Sequence, residues 1–283
     1  RINKKIMKNR IVVIGANGFV GNSIYCKLKA EKYDVVKIIK KDVNLLEKES
    51  IEQLKNTIKR NDIVIFVSAI APCKNLNEYH ENLVMVNNFI MANIEKRASQ
   101  IINISSDAVY GDSLKKMDED SLTYPDSIHG SMHLMRETLL RSFFNDILTI
   151  IRPTLIYGSK DPHNGYGPNK FIRLINNKED IKLFGEGEEL RDHVYIEDVS
   201  NLVLEVVKGR VFGVFNAVSG EVMSFKDIAN QLKIYKSSEI KIKPTLRKGK
   251  IPHNGFRAFE KSRAESIFKN FKFTAINDGL KKL

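Results

Sequence analysis

Two cysteines in 283 residues, Cys26 and Cys73, give no disulfide framework and no metal-binding spacing. So few thiols point to a reducing, cytoplasmic setting. Long apolar runs are missing as well. Nothing approaches the ~20 consecutive apolar residues that span a bilayer, so no membrane partner is expected. The basic N-terminus runs straight into a short apolar strand, without the hydrophobic stretch of a secretion leader. Met7 is the expected natural start, residues 1–6 being an addition or the product of an upstream start. There is no internal repeat, no low-complexity tract and no clean linker. Acidic charge is scarce towards the C-terminus: residues 233–283 carry fourteen Lys/Arg against four Asp/Glu, most of the formal net charge of +12. Five more basic residues, Arg1, Lys4, Lys5, Lys8 and Arg10, precede the first strand. Such a surplus suits a phosphate-rich ligand. No nucleic-acid motif accompanies it, and Lys, Ile and Asn abound along the whole chain, so it reads as solvated surface with no nucleic-acid partner.

What is present is the pattern of an ordinary soluble globule, 42% hydrophobic and 28% charged. Short β-branched runs at 10–15, 35–39, 62–67, 100–105 and 148–152 alternate with helical spacing over 18–31, 47–59, 78–95 and 128–145. Strands alternating with helices mean βαβ crossovers and a doubly wound, Rossmann-like parallel sheet of α/β class. Beyond Pro153 the rhythm loosens into a turn-rich loop at 158–168, a helix at 168–177, a strand at 192–196 and a helix of about 198–208 capped by Asp198. A strand at 214–218 and a helix capped by Ser224 follow. The expected division is a dinucleotide-binding core over 7–157, with 190–218 adding to it. An interleaved, smaller C-terminal substrate lobe is built from 158–189 and 219–283.

Gly15-Ala-Asn-Gly18-Phe-Val-Gly21 closes the first strand and opens the first helix. Glycines there allow a tight turn and a close approach of backbone to a pyrophosphate, with helix N–H groups facing the anion. Gly15, Asn17, Gly18, Phe19, Val20 and Gly21 are therefore cofactor-binding candidates.

Further motifs follow in order: Val67-Ser-Ala-Ile-Ala, Asn87, Ser105-Ser-Asp-Ala-Val-Tyr-Gly111, Arg152-Pro-x-x-x-Tyr-Gly158, and Gly187-Glu-Glu-Leu-Arg-Asp-His-Val-Tyr. With the glycine turn, they make the chain resemble the extended short-chain dehydrogenase/reductases: NAD(P)-dependent nucleotide-sugar epimerases, dehydratases and ketoreductases, enzymes of the kind that serve polysaccharide biosynthesis. The resemblance implies a nucleotide-sugar substrate and hydride transfer at a sugar carbon, C4, by an epimerase or ketoreductase. It places Ser68, Ala69 and Asn87 against the cofactor, Ser106 on the reacting oxygen, and Asp107, Asn169, Lys170, Arg191 and Arg257 around the substrate. Arg191 would clamp the diphosphate, a task for a planar, permanently charged fork; a salt bridge to Asp192 or Glu189 is the plainer reading. The family's dehydratases follow the Ser/Thr with Asp-Glu, and Ala108 after Asp107 weighs against dehydration. Lys40, Lys41 and Asp42 end the second strand where NAD-preferring members place a carboxylate, so NADP is the expected cofactor, with NAD the alternative. A homodimer through the helices at 78–95 and 128–145 is also implied, the second rich in Met132, Met135, Leu139, Leu140, Phe143 and Phe144.

The chain departs from the family at residues 129–137. Where Tyr-Gly-x-x-Lys-x-x-x-Glu is expected, it reads His129-Gly-Ser-Met-His133-Leu-Met-Arg-Glu137. Lowering a phenol from about 10 to about 7 takes roughly 4 kcal/mol, whereas an imidazole starts near 6.5. A histidine base would dispense with the lysine. The expectation is therefore His129 as acid–base residue, titrating at about 6–7, and His133 on the cofactor ribose. The alternatives are a catalytically impaired protein that only binds dinucleotide and sugar nucleotide, and a metal held by the i, i+4 histidines with Glu137. The second lacks the Glu of His-Glu-x-x-His, so no metal is expected.

Overall fold

The computed structural model describes residues 9–95, 98–162 and 164–283. Met7, Arg1, Lys4, Lys5 and Lys8 lie outside them. The first half alternates strictly: β1 (Ile11–Ile14), α1 (Phe19–Ala30), β2 (Val35–Ile38), α2 (Glu49–Thr57), β3 (Ile63–Phe66), α3 (Leu76–Asn93), β4 (Gln100–Ile104), α4 (Ile128–Phe144) and β5 (Leu148–Pro153). β1, β3, β4 and β5 are buried at every position, as strands covered on both faces must be. The second half is less regular: β6 (Leu155–Tyr157), α5 (Pro168–Asn176), β7 (Ile181–Phe184), β8 (Leu190–Tyr195), α6 (Ile196–Gly209), β9 (Gly213–Ala217), β10 (Val222–Ser224), α7 (Phe225–Tyr235), β11 (Ile242–Thr245) and β12 (Phe256–Arg257).

A six-stranded sheet runs β2-β1-β3-β4-β5-β9, and the pairings from β2 to β5 are all parallel. The chain starts at β1, steps out to β2 and returns on the other side to β3. That reversal opens a crevice beyond the carboxyl ends of β1 and β3, the usual ligand position in such sheets. Phe66, Phe89 and Phe144 join Val64, Ile101 and Leu140 in the core beneath α3 and α4, with Phe66 and Phe89 stacked at 4.3 Å. No helix among the described residues is long and apolar enough to cross a membrane.

The chain divides into two compact units: 1–109, 125–152 and 200–214 in the first, and 110–124, 153–199 and 215–283 in the second. In this division the segment opening at Pro125 closes at Arg152, and 110–124, 190–199 and 215–218 fall in the second unit. The second unit holds a sheet of β10, β8 and β12, with β6 paired to β8, and a separate β7–β11 pair. Its segments are tied by buried Glu119, which accepts from the Asn216 amide at 2.9 Å and the Ser262 hydroxyl at 3.0 Å. Asp198 does not cap α6. The helix begins two residues earlier, and the carboxylate instead accepts from the amide of Thr274 at 2.7 Å and its hydroxyl at 2.9 Å. Ser224 does cap α7, accepting from the Asp227 amide at 3.0 Å.

Candidate active site

The glycine turn after β1 is close-packed. Gly15 has φ +91°, and a Cβ there would stand 2.7 Å from the amide nitrogen of Ser68. A Cβ on Gly21 would overlap the carbonyl of Gly15, so α1 lies directly on the turn. α1 opens at Gly18 with no side-chain cap, leaving its first-turn N–H groups to water or an anion. Asn17 and Gly18 are exposed, while Phe19 and Val20 are half-buried. This cradle, closed to a side chain and open to a phosphate, fits a dinucleotide. Lys40, Lys41 and Asp42 are all exposed just after β2.

The loop after β3 connects this turn to the histidines. Ser68 lies against Gly15, and five residues on, the Cys73 amide donates to Nδ1 of His129 at 3.2 Å. Asn82 of α3, wholly buried, fixes the loop from behind: its Oδ1 accepts from the Ile70 amide and its Nδ2 donates to the Ile70 carbonyl, both at 3.1 Å. Asn87, the asparagine expected at the cofactor, is exposed and donates to Asn88 at 3.4 Å. Ala69 is half-buried beside Ser68.

α4 starts at the same place. Ser127 caps it by accepting from the Gly130 amide at 3.1 Å, and Gly130 packs so closely that a Cβ would overlap the Ala108 carbonyl. That contact brings His129 to the segment carrying Ser106 and Asp107. The Ser106 hydroxyl accepts from the Ala108 amide at 3.1 Å and donates to Asp107 at 3.4 Å. One turn along α4 the buried His133 ring stands perpendicular to His129, centroids 4.7 Å apart. Glu137 does not face the histidines. It is buried and accepts from Ser105 at 2.6 Å and from Arg152 at 2.9 and 2.7 Å, so it serves as the anchor of α4 on β4 and β5.

Burial lowers His129 below the usual 6.5, with nearby Asp107 opposing it. Burial, then His129 and Arg136, push His133 well below that value. The activity limb expected at 6–7 is thus corrected downwards. Burial and the neighbouring His129 and Arg136 thus disfavour a charged His133. Arg136, three residues on, is fully buried over the Phe66 ring at 4.5 Å, and burial lowers it to about 10. Arg136, Asn82 and the Cys73 amide belong to none of the sequence motifs. Only Arg136 carried a signal, a charge on the helix face that must meet the core.

In the second unit, Arg191 of β8 and Arg257 of β12 are register partners. Arg257 is buried, 3.2 Å from His253 Nδ1 and 3.6 Å from Asp112, and donates to the Tyr110 carbonyl at 3.4 Å. Burial, with Arg191 and Arg257 adding to it, lowers His253. The carboxylates adjacent to Arg191 are engaged elsewhere: Glu189 meets Arg247 at 3.1 Å, and Asp192 accepts from the Ser219 and Gly220 amides at 3.0 and 2.8 Å. Asn169, expected at the substrate, is buried and spends its amide on the chain, binding the Gly158 amide and Asp161, each at 2.9 Å. It therefore holds its own loop. Lys170 is half-buried beside it.

A doubly wound sheet whose first strand–helix turn is a glycine cradle defines a dinucleotide-binding scaffold. The chain belongs to the NAD dependent epimerase/dehydratase family, whose pattern it matches over residues 11–217. It is similar to a dTDP-D-glucose 4,6-dehydratase of Dictyostelium discoideum, 24% identical over 82% of this chain and spanning 57% of that protein's length. It is also similar to an ADP-L-glycero-D-manno-heptose-6-epimerase of Brachyspira hyodysenteriae, 25% identical over 96% of each. Its fold is that of the UDP-glucose 4-epimerase of Thermus thermophilus in complex with NAD, with TM-score 0.84, 16% identity and 96% of each chain covered.

Proposed function

We propose that this protein transfers hydride between a nicotinamide dinucleotide and a sugar carbon, C4, of a nucleotide-activated sugar, as an epimerase or ketoreductase. The observation that carries this reading is the loop after β3. It touches the glycine cradle through Ser68 and His129 through Cys73, so a dinucleotide laid on that cradle runs towards the histidine. When bound, the dinucleotide would supply or accept the hydride. Gly15, Gly18 and Gly21 would hold its pyrophosphate, and Ser106 and His129 would flank the oxygen on the reacting carbon. Ala108 stands where a dehydratase needs a second carboxylate, which favours the two chosen reactions over elimination. In the second unit half-buried Arg191 suits a nucleotide diphosphate, because a planar guanidinium fork can grip phosphate oxygens, while buried Arg257 is held by His253, Asp112 and the Tyr110 carbonyl.

Calorimetry with NADP, NAD and a UDP- or dTDP-linked sugar tests the reading. NADP is expected to bind about tenfold or more tighter than NAD, since Lys40 and Lys41 can neutralise a 2′-phosphate. The Lys40→Ala/Lys41→Ala variant should lose that margin. Arg191→Ala should weaken the sugar nucleotide about tenfold and leave the dinucleotide unaffected. Binding of neither dinucleotide would reject the function, and tighter NAD binding would reject the cofactor choice alone.

A homodimer belongs to the same proposal. Of the apolar residues on α4, Met132, Leu140 and Phe144 are buried in the core, but Phe143 is 49% exposed, as are Met91 (46%) and Leu83 (37%) on the adjacent α3. Light scattering at micromolar concentration should give twice the chain mass, and Phe143→Glu/Met91→Glu should give a folded monomer. A wild-type monomer would overturn it.

A further inference from the structure

We propose that the layer between the sheet and α3–α4 binds a small monovalent inorganic anion, gripped by the free edge of Arg136 with Asn103 and His133 beside it. Arg136 is 0% exposed. Its Nη1 donates to Asn82 Oδ1 at 3.4 Å, an oxygen that also accepts from the Ile70 amide. Nε and Nη2 have no hydrogen-bond partner among the described residues. Those two N–H groups form one edge of the planar guanidinium, the edge that grips an anion side-on. Two other arginines of the first unit use the same edge on buried carboxylates. Arg152 sends Nε and Nη2 to Glu137 at 2.9 and 2.7 Å, and Arg10 sends them to Asp62 at 3.1 and 2.6 Å. Register and helix spacing place the neighbours. Asn103 of β4 is the register partner of Phe66 on β3, so their side chains leave one face of the sheet about 5 Å apart. Arg136 lies over that Phe66 ring at 4.5 Å. Both polar side-chain atoms of Asn103 are buried and unpartnered, as is Nδ1 of His133, one turn before Arg136 on α4. Five orphaned polar atoms on three side chains thus gather in one layer.

The charge needs a partner as much as the N–H groups do. Burial alone lowers Arg136 to about 10, so it stays charged at neutral pH, and nothing acidic among the described residues offsets it. Glu137, next in sequence, is committed to Ser105 and Arg152. The Phe66 face offsets part of the charge but leaves both N–H groups unanswered. A second copy of the chain does not reach a side chain with no exposure. Water answers the hydrogen bonds and leaves the charge, and an uncompensated buried charge is among the largest penalties a fold can carry. One negative charge is enough. An ion the size of chloride or nitrate takes the two N–H groups of the edge and a third from the Asn103 amide. Its effect reaches the histidines, because Arg136 is one of the groups that disfavour charge on His133, and an anion on its edge cancels that influence.

Thermal unfolding of the full-length protein in chloride, nitrate and gluconate at one ionic strength is the test, gluconate being too bulky for a fully buried site. Raising chloride or nitrate from about 1 mM to about 200 mM, with gluconate making up the balance, should raise the melting temperature by about 5 °C. Arg136→Met keeps the length of the side chain without its charge and should lose the rise. Asn103→Asp places a carboxylate next to the guanidinium, so it should melt above the wild type in gluconate and no longer respond to chloride. Crystals grown in bromide should show an anomalous peak at the Nε–Nη2 edge. Equal melting in all three salts, a rise that persists in both variants, or an edge that holds water and no bromide overturns the inference. Should Arg136→Met fail to fold, Asn103→Asp and the bromide peak decide it. None of these readouts involves substrate or dinucleotide, so the hydride-transfer reading is untouched by either result.

Discussion

Glu137→Ala is expected to destabilise the protein by about 3–5 kcal/mol, the cost of leaving a buried ionic partner uncompensated. Glu137 has no exposure, and Arg152, 2% exposed, gives it two hydrogen bonds. Alanine removes two hydrogen bonds and the ion pair from that buried guanidinium and leaves the Ser105 hydroxyl without its acceptor. Thermal or urea unfolding should show the loss, with a melting shift of roughly 10 °C or more. The pair itself need not be stabilising relative to apolar residues of similar volume, because both ions were desolvated. Glu137→Leu/Arg152→Met should therefore recover most of what Glu137→Ala loses. If Glu137→Ala unfolds with the wild type, the pair does not anchor α4.

Gly130→Ala is expected to damage the site with a single methyl group. The added Cβ would stand 2.8 Å from the Pro125 side chain and overlap the Ala108 carbonyl, a backbone atom that cannot swing aside. The first turn of α4 must move, carrying His129 away from Ser106. A displacement of about 1 Å at a reacting group costs about 100-fold in rate, and overpacking costs about 1–3 kcal/mol in stability. Gly165→Ala is the control, since nothing lies within 4 Å of its added carbon. Should Gly130→Ala match the Gly165→Ala control in both melting point and turnover, the close contact does not hold α4 in place.

Much of the first unit was legible because its signals are local. β1, β3, β4 and β5 fall within a residue or two of their apolar runs, and the glycine triplet lies on the turn from β1 into α1. β6, β7, β10, β11 and β12 were not, for a reason visible in β11. It carries Lys243 and Pro244 in a run too short to alternate, and exists as a strand only because β7, far earlier in the chain, pairs with it. Contacts made by backbone atoms escape motif reading altogether, as the Cys73 amide on His129 shows. Asn169 illustrates the opposite error: a motif asparagine can be consumed by its own loop. Asp198 illustrates a third, since a carboxylate in the first turn of a helix looks like a cap until a distant Thr274 claims it.

The threading of the two units sets the order in which this protein can be made. The first unit needs residues 200–214, and the second needs residues from 110–124 together with the last ones of the chain. A ribosome emits roughly 5–20 residues per second, so β1 to β4 wait about 5–40 s for residues 200–214 of their unit. Glu119 waits longer, because its partners Ser262 and Arg263 emerge near the end. During that interval β3 and β4 can pair with each other and with β1 and β5, but they lack residues 200–214 of their own unit. A truncation near residue 200 would not yield a smaller stable protein but a chain arrested in that state.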